Sequence, residues 1–77
     1  MVSVIYFGPL KNITNCSSES FEQTSFMQLK QNIIQKYGSD IEELMRYCAF
    51  WKNGEEFDED IIGEGDEIEI LPPVSGG

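Results

Sequence analysis

Histidine is absent from the 77-residue sequence, and cysteine is scarce. The lack of histidine removes the commonest general base, the commonest metal ligand and every Ser-His or Cys-His nucleophilic pair. The two cysteines, Cys16 and Cys48, stand far apart, one in a polar segment and one in an apolar run, so they form neither a C-x-x-C redox motif nor half of a zinc site. We therefore expect two free thiols, no metal site, and no reaction that the chain catalyses alone.

Basic residues are also few. Against 14 acidic residues there are five cations, and the net charge is −9. Because affinity for phosphate backbones comes largely from cations, this balance argues against a nucleic-acid partner and favours a basic protein partner. The five cations are Lys11, Lys30, Lys36, Arg46 and Lys52.

Long apolar runs are missing as well, and the N-terminus lacks the basic start of a secretory signal. We therefore predict no contact with a membrane and a cytoplasmic location. Hydrophobic residues make up 40% of the chain and charged residues 25%, which is typical of a soluble globular domain. The length allows one small domain.

The first half of the sequence predicts a strand over residues 2–7, a polar loop over 10–18 and a short strand over 19–23. Alternation divides the first strand between two faces: Val2, Val4 and Tyr6 toward the core, and Ser3, Ile5 and Phe7 toward the other side.

A helix is predicted next. Ser25 and Gln28 fit a capping box, with Thr24 as an alternative cap, and Gly38 stands where a glycine commonly ends a helix. Apolar side chains recur along one face between these signals: Phe26, Leu29, Ile33 and Tyr37. Residues 39–46 predict a further short helical turn.

The second half predicts three strands and the segments between them: a strand over residues 47–52, an Asn53-Gly54 type I′ turn, a brief return strand over 55–57, an acidic crossing over 58–66 and a last strand over 67–71. The pattern leaves the facing of Trp51 open. One main helix among several strands indicates an α+β domain in which the helix covers one face of a mixed sheet.

The C-terminus differs from the rest of the chain. We predict a domain over residues 1–71 and a flexible tail over 72–77, in which two prolines stop the last strand and keep the chain extended. Six residues reach about 20 Å, and the only ionised group among them is the carboxylate of Gly77. Such a tail is either a frayed end or a segment that enters another protein's pocket.

The base of this tail has an apolar side. Ile68 and Ile70 are predicted to face the core, so Leu71 faces the side that also shows Ile5 and Phe7. If the first and last strands pair, these residues form an apolar patch framed by acidic residues, which is typical of a protein-docking site. If that side is covered within the domain, the patch is part of the core.

Residues 63–77 resemble the end of the small, sulfur-carrying subunit of molybdopterin synthase, a family of ubiquitin-like sulfur carriers. The features that resemble it are the turn at 65–67, the Pro-Pro-x-x-Gly-Gly ending and the opening strand at 4–7. The resemblance implies a β-grasp fold. The loop after the first strand departs from the family by lacking an Arg-Glu pair, and the acidic crossing is unusually acidic.

The resemblance also implies a function. The carboxylate of Gly77 is expected to be adenylated by a separate activating enzyme that uses ATP, converted to a thiocarboxylate, and used to give sulfur to cyclic pyranopterin monophosphate in the large subunit. A heterotetramer with the large subunit is expected, and no permanently bound cofactor. The implied roles are sulfur attachment at Gly77, docking by Phe7, Leu71 and Ile5, and entry of the tail through Pro72, Pro73, Val74, Ser75 and Gly76.

Two alternatives stay open. The chain could carry sulfur for thiamine or another sulfur-containing product, although the prolines before the tail argue against that. It could also be a ubiquitin-like modifier or a binding module.

Overall fold

A mixed sheet with helices packed against it forms the structure, a computed structural model that describes residues 1–22, 25–56 and 62–73. Its elements, in chain order, are β1 Val2–Tyr6, α1 Pro9–Thr14, β2 Ser18–Phe21, α2 Phe26–Tyr37, α3 Ser39–Met45, β3 Ala49–Lys52, β4 Glu55–Glu56 and β5 Glu67–Leu71. Within those ranges no helix is both long and apolar enough to cross a lipid bilayer.

The sheet order is β2-β1-β5-β3-β4. β1 and β5 lie side by side in parallel, with Val4 opposite Ile68 and Tyr6 opposite Ile70, while the other neighbouring strands are antiparallel. The first and last strands therefore pair, which is the condition on which the expected apolar patch depended. This pairing brings the C-terminal ends of both strands to the same edge of the sheet.

The core lies between the sheet and the helices. Val2, Val4 and Tyr6 of β1 are at most 1% exposed, as are Ile68 and Ile70 of β5. These are the residues that alternation assigned to the core, so that prediction is confirmed. Helices contribute most of the other large buried side chains, chiefly Leu10, Leu29, Ile33 and Ile41, and Ile62 before β5 is buried as well.

α2 begins and ends as predicted. The Ser25 hydroxyl oxygen accepts a hydrogen bond from the Gln28 N–H at 3.1 Å, which satisfies one of the free donors of the first turn. The Gln28 side chain donates to Asn32 instead of completing the capping box. Gly38 follows the helix with φ +91°, a conformation that favours glycine. Thr24 lies outside the described residues.

The predicted polar loop over residues 10–18 is wrong in its first half, which forms α1. Pro9 occupies the first helical position, where its missing N–H costs nothing and its fixed φ suits the helix. Leu10 and Thr14, one turn apart, are both buried. Asn15 ends the helix in the left-handed conformation, with φ 61°.

Most strands are slightly shorter in the structure than predicted. β2 ends at Phe21. β3 begins at Ala49, because the N–H groups of Tyr47 and Cys48 bond back to the end of α3. The Asn53-Gly54 turn is confirmed, since both residues have positive φ, as type I′ requires. The end of the return strand, at residue 57, and the first part of the acidic crossing, residues 58–61, lie outside the described residues.

Candidate functional site

The side of the sheet turned away from the helices brings together residues from three strands. Ile5 of β1 is opposite Glu69 of β5, and Glu69 is opposite Trp51 of β3. Leu71 is opposite Ala49 in the next row. All five side chains are half-buried. Since α2 and α3 pack on the other side, this face remains partly exposed to solvent.

Trp51, whose facing the sequence left open, lies on this outer face. Its neighbour Phe50 is opposite the buried Ile70, and the Phe50 ring meets the Phe26 ring of α2 edge to face, with 5.0 Å between centroids. Because successive side chains on a strand point to opposite faces, Trp51 points away from the helices.

Phe7 follows β1 directly and is half-buried. Alternation along the chain puts it on the side of Ile5. Its carbonyl oxygen accepts a hydrogen bond from the Leu10 N–H at 3.2 Å, so the start of α1 fixes its backbone. We call Ile5, Phe7, Ala49, Trp51 and Leu71 the outer patch. Sequence reasoning found three of these residues and missed Ala49.

The first residue of the tail is held in place. Pro72 is half-buried and Pro73 is exposed. A Cβ atom added to Gly8 would lie 3.0 Å from Cγ of Pro72, so the Gly8 backbone and the Pro72 ring approach closely. Gly8 has φ 59° and ψ −134°, which favours glycine. This contact at the shared edge of β1 and β5 fixes the direction in which the chain leaves the sheet.

The start of β5 is hydrogen-bonded to the turn of the β3–β4 hairpin. The backbone N–H of Asn53 donates to the Glu67 carbonyl at 2.9 Å, and the Asn53 side-chain oxygen accepts from the Glu67 N–H at 2.9 Å. The Asn53 amide also donates to Asp66, whose other oxygen accepts from the Gly63 N–H at 2.7 Å. The Gly63 N–H and the Asn53 amide hold the pKa of Asp66 below its ordinary value. Sequence reasoning identified the turn but not this use of the Asn53 side chain.

Carboxylates lie within the outer patch and beside it. Glu69 lies in the row between Ile5 and Trp51, Glu56 is opposite Trp51 on β4, and Glu67 is exposed at the start of β5. An apolar surface with a carboxylate at its centre and others beside it suits a partner that offers both apolar side chains and cations.

Glu19 forms a second polar cluster on the helical side of the sheet. One of its oxygens accepts hydrogen bonds from Tyr6 at 2.8 Å and from Tyr37 at 2.7 Å, and the other pairs with Lys36. Burial raises the pKa of both tyrosines, and their bonds to Glu19 raise it further, so both stay neutral donors. Burial alone would raise the pKa of Glu19, but the bonds from Lys36, Tyr37 and Tyr6 outweigh it and lower the pKa. This cluster joins β2 to α2 and is structural.

The remaining predicted site residues, Val74, Ser75, Gly76 and Gly77, lie outside the described residues. In the described part of the chain, no group of three or more His, Cys, Asp or Glu side chains is placed to hold a metal ion. Cys16 and Cys48 are both free and half-buried, and burial raises the pKa of the Cys48 thiol.

The pattern that defines the ThiS family matches residues 4–77 of this chain. The chain is also 26% identical over 81 aligned positions to the molybdopterin synthase sulfur carrier subunit of Chlamydomonas reinhardtii, covering 99% of this chain and 98% of that protein.

Solved structures share the architecture. A chain in the complex of subunits 1 and 2 of the molybdopterin-converting factor from Helicobacter pylori 26695 matches with a TM-score of 0.73 and 29% identity, over 99% of this chain and 97% of that one. The small archaeal modifier protein 1 of Methanosarcina acetivorans matches with a TM-score of 0.86 and 21% identity, over 99% and 95%. These likenesses confirm the predicted β-grasp, ubiquitin-like fold.

Proposed function

The chain belongs to the ThiS family, and on that premise we propose that it carries sulfur on the carboxyl group of Gly77 for the synthesis of molybdopterin. The observation that supports this most is the extent of the family match, which runs through the Pro-Pro-x-x-Gly-Gly ending to Gly77 itself. The similarity to a molybdopterin synthase sulfur carrier subunit over nearly the whole chain supports the choice of product.

Chemistry dictates the order of the proposed steps. A carboxylate oxygen is a very poor leaving group, so a separate activating enzyme first joins the Gly77 carboxylate to the α-phosphorus of ATP and releases pyrophosphate. A sulfur nucleophile then displaces AMP from the acyl-adenylate, which leaves a thiocarboxylate. In this scheme the chain supplies the carboxyl group and its delivery, while the catalytic residues and the ATP site belong to its partners.

The tail suits delivery into a narrow site. Two prolines at its base remove backbone donors and fix φ, so the chain leaves β5 extended. The close approach of Pro72 to Gly8 sets the starting direction. Gly76 and Gly77 have no side chains, so the end that enters the partner is as thin as a peptide can be.

The outer patch is the proposed docking surface for the large subunit. Its apolar residues lie at the edge where the tail leaves the sheet, so a partner bound there would have the tail directed into it. The solved complex of two molybdopterin-converting factor subunits in Helicobacter pylori supports a two-subunit arrangement. We propose that the large subunit offers cations that complement Glu56, Glu67 and Glu69.

The acceptor of the sulfur is proposed to be cyclic pyranopterin monophosphate bound in the large subunit. Two carriers in the thiocarboxylate form supply the two sulfur atoms of each molybdopterin. A thiamine-type acceptor is the closest alternative. The solved modifier protein that this chain resembles is 21% identical, which supports the shared fold alone.

Intact-mass spectrometry of the chain, after incubation with the activating enzyme, ATP and a sulfur donor, tests the proposal. We expect the mass increase for one oxygen replaced by one sulfur, and fragmentation should place the change at Gly77. Reaction without ATP is the control and should leave the mass unchanged. Conjugates between Gly77 and lysine side chains, with no thiocarboxylate at any time, would instead support a modifier.

A further inference from the structure

A groove of about 350 Å³ runs between α2 and α3, on the side of the molecule opposite the outer patch. Its apolar lining comes from Met27 and Ile34 of α2 and Met45 of α3. Met45 is 6% exposed and forms part of the core, Ile34 is half-buried, and Met27 is 69% exposed at the rim. The exposure of the lining therefore increases from Met45 in the core to Met27 at the rim. The two methionines are flexible and polarisable, so they adapt well to a partner.

Two cations line the same groove. Lys30 and Arg46, two of the five basic residues of the chain, line it together with one carboxylate, Glu42. The Lys30 ammonium lies 4.6 Å from the centroid of the Phe26 ring, and Arg46 is exposed. The ion pairs found within the described residues involve neither cation. In a chain of net charge −9, the groove is thus a local site of net positive charge.

From this combination we propose that the groove binds a short amphipathic helix, rich in Asp and Glu, that belongs to another protein. Apolar side chains at positions i, i+3 and i+4 of that helix would lie between Met27, Ile34 and Met45, as in other complexes in which a helix fills a groove. Its carboxylates would pair with Lys30 and Arg46, where the guanidinium of Arg46 can form two parallel hydrogen bonds to one carboxylate.

The charges also argue against a second copy of this chain as the occupant. In a symmetric dimer through this groove, Lys30 and Arg46 of one copy would face the same two cations of the other. The proposal stands apart from the sulfur-carrier function, because the groove and the outer patch lie on opposite sides of the sheet and share no residue. A protein bound in the groove would leave the outer patch and the tail free.

A designed peptide tests this proposal with the full-length chain. The probe is a fluorescently labelled helical peptide with leucines at i, i+3, i+4 and i+7 and glutamates on the flanking positions; a second peptide has lysine in place of every glutamate. We expect fluorescence anisotropy to show binding of the glutamate peptide and at least about tenfold weaker binding of the lysine peptide.

Variants locate the binding site. Arg46→Glu should weaken binding of the glutamate peptide at least about tenfold, whereas Lys11→Glu, which makes the same change in net charge at an exposed position of α1, should change it less than about twofold. Met27→Ser, at an exposed position where folding is not at risk, should also weaken it.

Three outcomes would overturn the proposal: no binding of the glutamate peptide, equal affinity for both peptides, or equal losses from Arg46→Glu and Lys11→Glu. Sedimentation that shows a wild-type dimer dissociated by Arg46→Glu would overturn it too, since the occupant would then be a second copy.

Discussion

Glu19 is the residue on which the packing of β2 against α2 most depends. Its side chain is 12% exposed and accepts bonds from Tyr6 and Tyr37 while pairing with Lys36. Tyr6 is 1% exposed, so loss of the carboxylate leaves a buried hydroxyl without its acceptor. We expect Glu19→Ala to lower the free energy of unfolding by about 1–3 kcal/mol, measured by urea denaturation at neutral pH. Glu42→Ala, at an exposed position, should change it little.

The contribution of Glu19 should also depend on pH. Hydrogen bonds hold its pKa in the folded protein below the ordinary value of 4.5, so the folded state favours the ionised carboxylate. This stabilisation is complete above the unfolded-state pKa and is lost as the pH falls through the folded-state pKa. The stability difference between wild type and Glu19→Gln should therefore shrink in acid. A difference that is constant from neutral to acidic pH would contradict this explanation.

Phe7 is the residue of the outer patch that lies nearest in sequence to the tail contact at Gly8. A carboxylate in place of its half-buried ring would add negative charge to an apolar surface that already contains Glu69. We expect Phe7→Asp to weaken binding to the large subunit at least about tenfold in calorimetry, which corresponds to about 1.4 kcal/mol. Met27→Asp places the same charge on the opposite side of the molecule and should leave the affinity unchanged. Equal losses from both variants would remove Phe7 from the docking surface.

Among the elements, β5 depends on its attachment to the β3–β4 hairpin through Asn53. That residue combines a positive φ with two side-chain hydrogen bonds. Alanine tolerates the positive φ poorly and makes neither side-chain hydrogen bond. Asn53→Ala should therefore lower the free energy of unfolding by about 1–2 kcal/mol, as measured by thermal or urea denaturation.

Asn53→Gly separates the two effects, because glycine tolerates the turn but makes no side-chain bond. Asn53→Gly should lower the free energy of unfolding by less than Asn53→Ala does, but by a measurable amount. If glycine matched the wild type, the side-chain bonds to Asp66 and Glu67 would contribute nothing.

The elements that the sequence predicted well are those with a clear local pattern. β5 alternates Glu with Ile, the polar Ser3 between Val2 and Val4 assigns the faces of β1, and α2 has a capping serine, an apolar stripe and a terminal glycine. Local chemistry decides each of these features, so no knowledge of the partner element is needed.

Other features depended on tertiary contacts. α1 has only six residues, and it was missed although Pro9 at the first helical position and the spacing of Leu10 and Thr14 gave a weak signal. The facing of Trp51 was undecidable because residues 48–51 are apolar throughout; only the register with β5 assigns it. For the same reason Ala49 was missed as a part of the outer patch.

At the scale of the whole molecule, we propose separate roles for the domain and the tail. The buried hydrophobic core of the described residues draws on the sheet and the helices and ends at Ile70. Deleting Gly77 should therefore leave the thermal midpoint unchanged while it abolishes sulfur transfer, because the reacting carboxylate moves one residue back from the partner's active site. Unchanged transfer by the shortened protein would show that position 77 is not the site of sulfur attachment.

The central claim is that sulfur leaves this chain from Gly77 for a pterin held by the large subunit. The most direct test mixes the thiocarboxylate form of the chain with the large subunit and cyclic pyranopterin monophosphate, and follows the intact mass of the chain over time. Our account predicts that the mass returns to that of the carboxylate as molybdopterin forms. It also predicts that the thiocarboxylate form persists when the pterin is left out. A chain that keeps its sulfur in the complete mixture, or loses it equally fast without the pterin, would contradict the account.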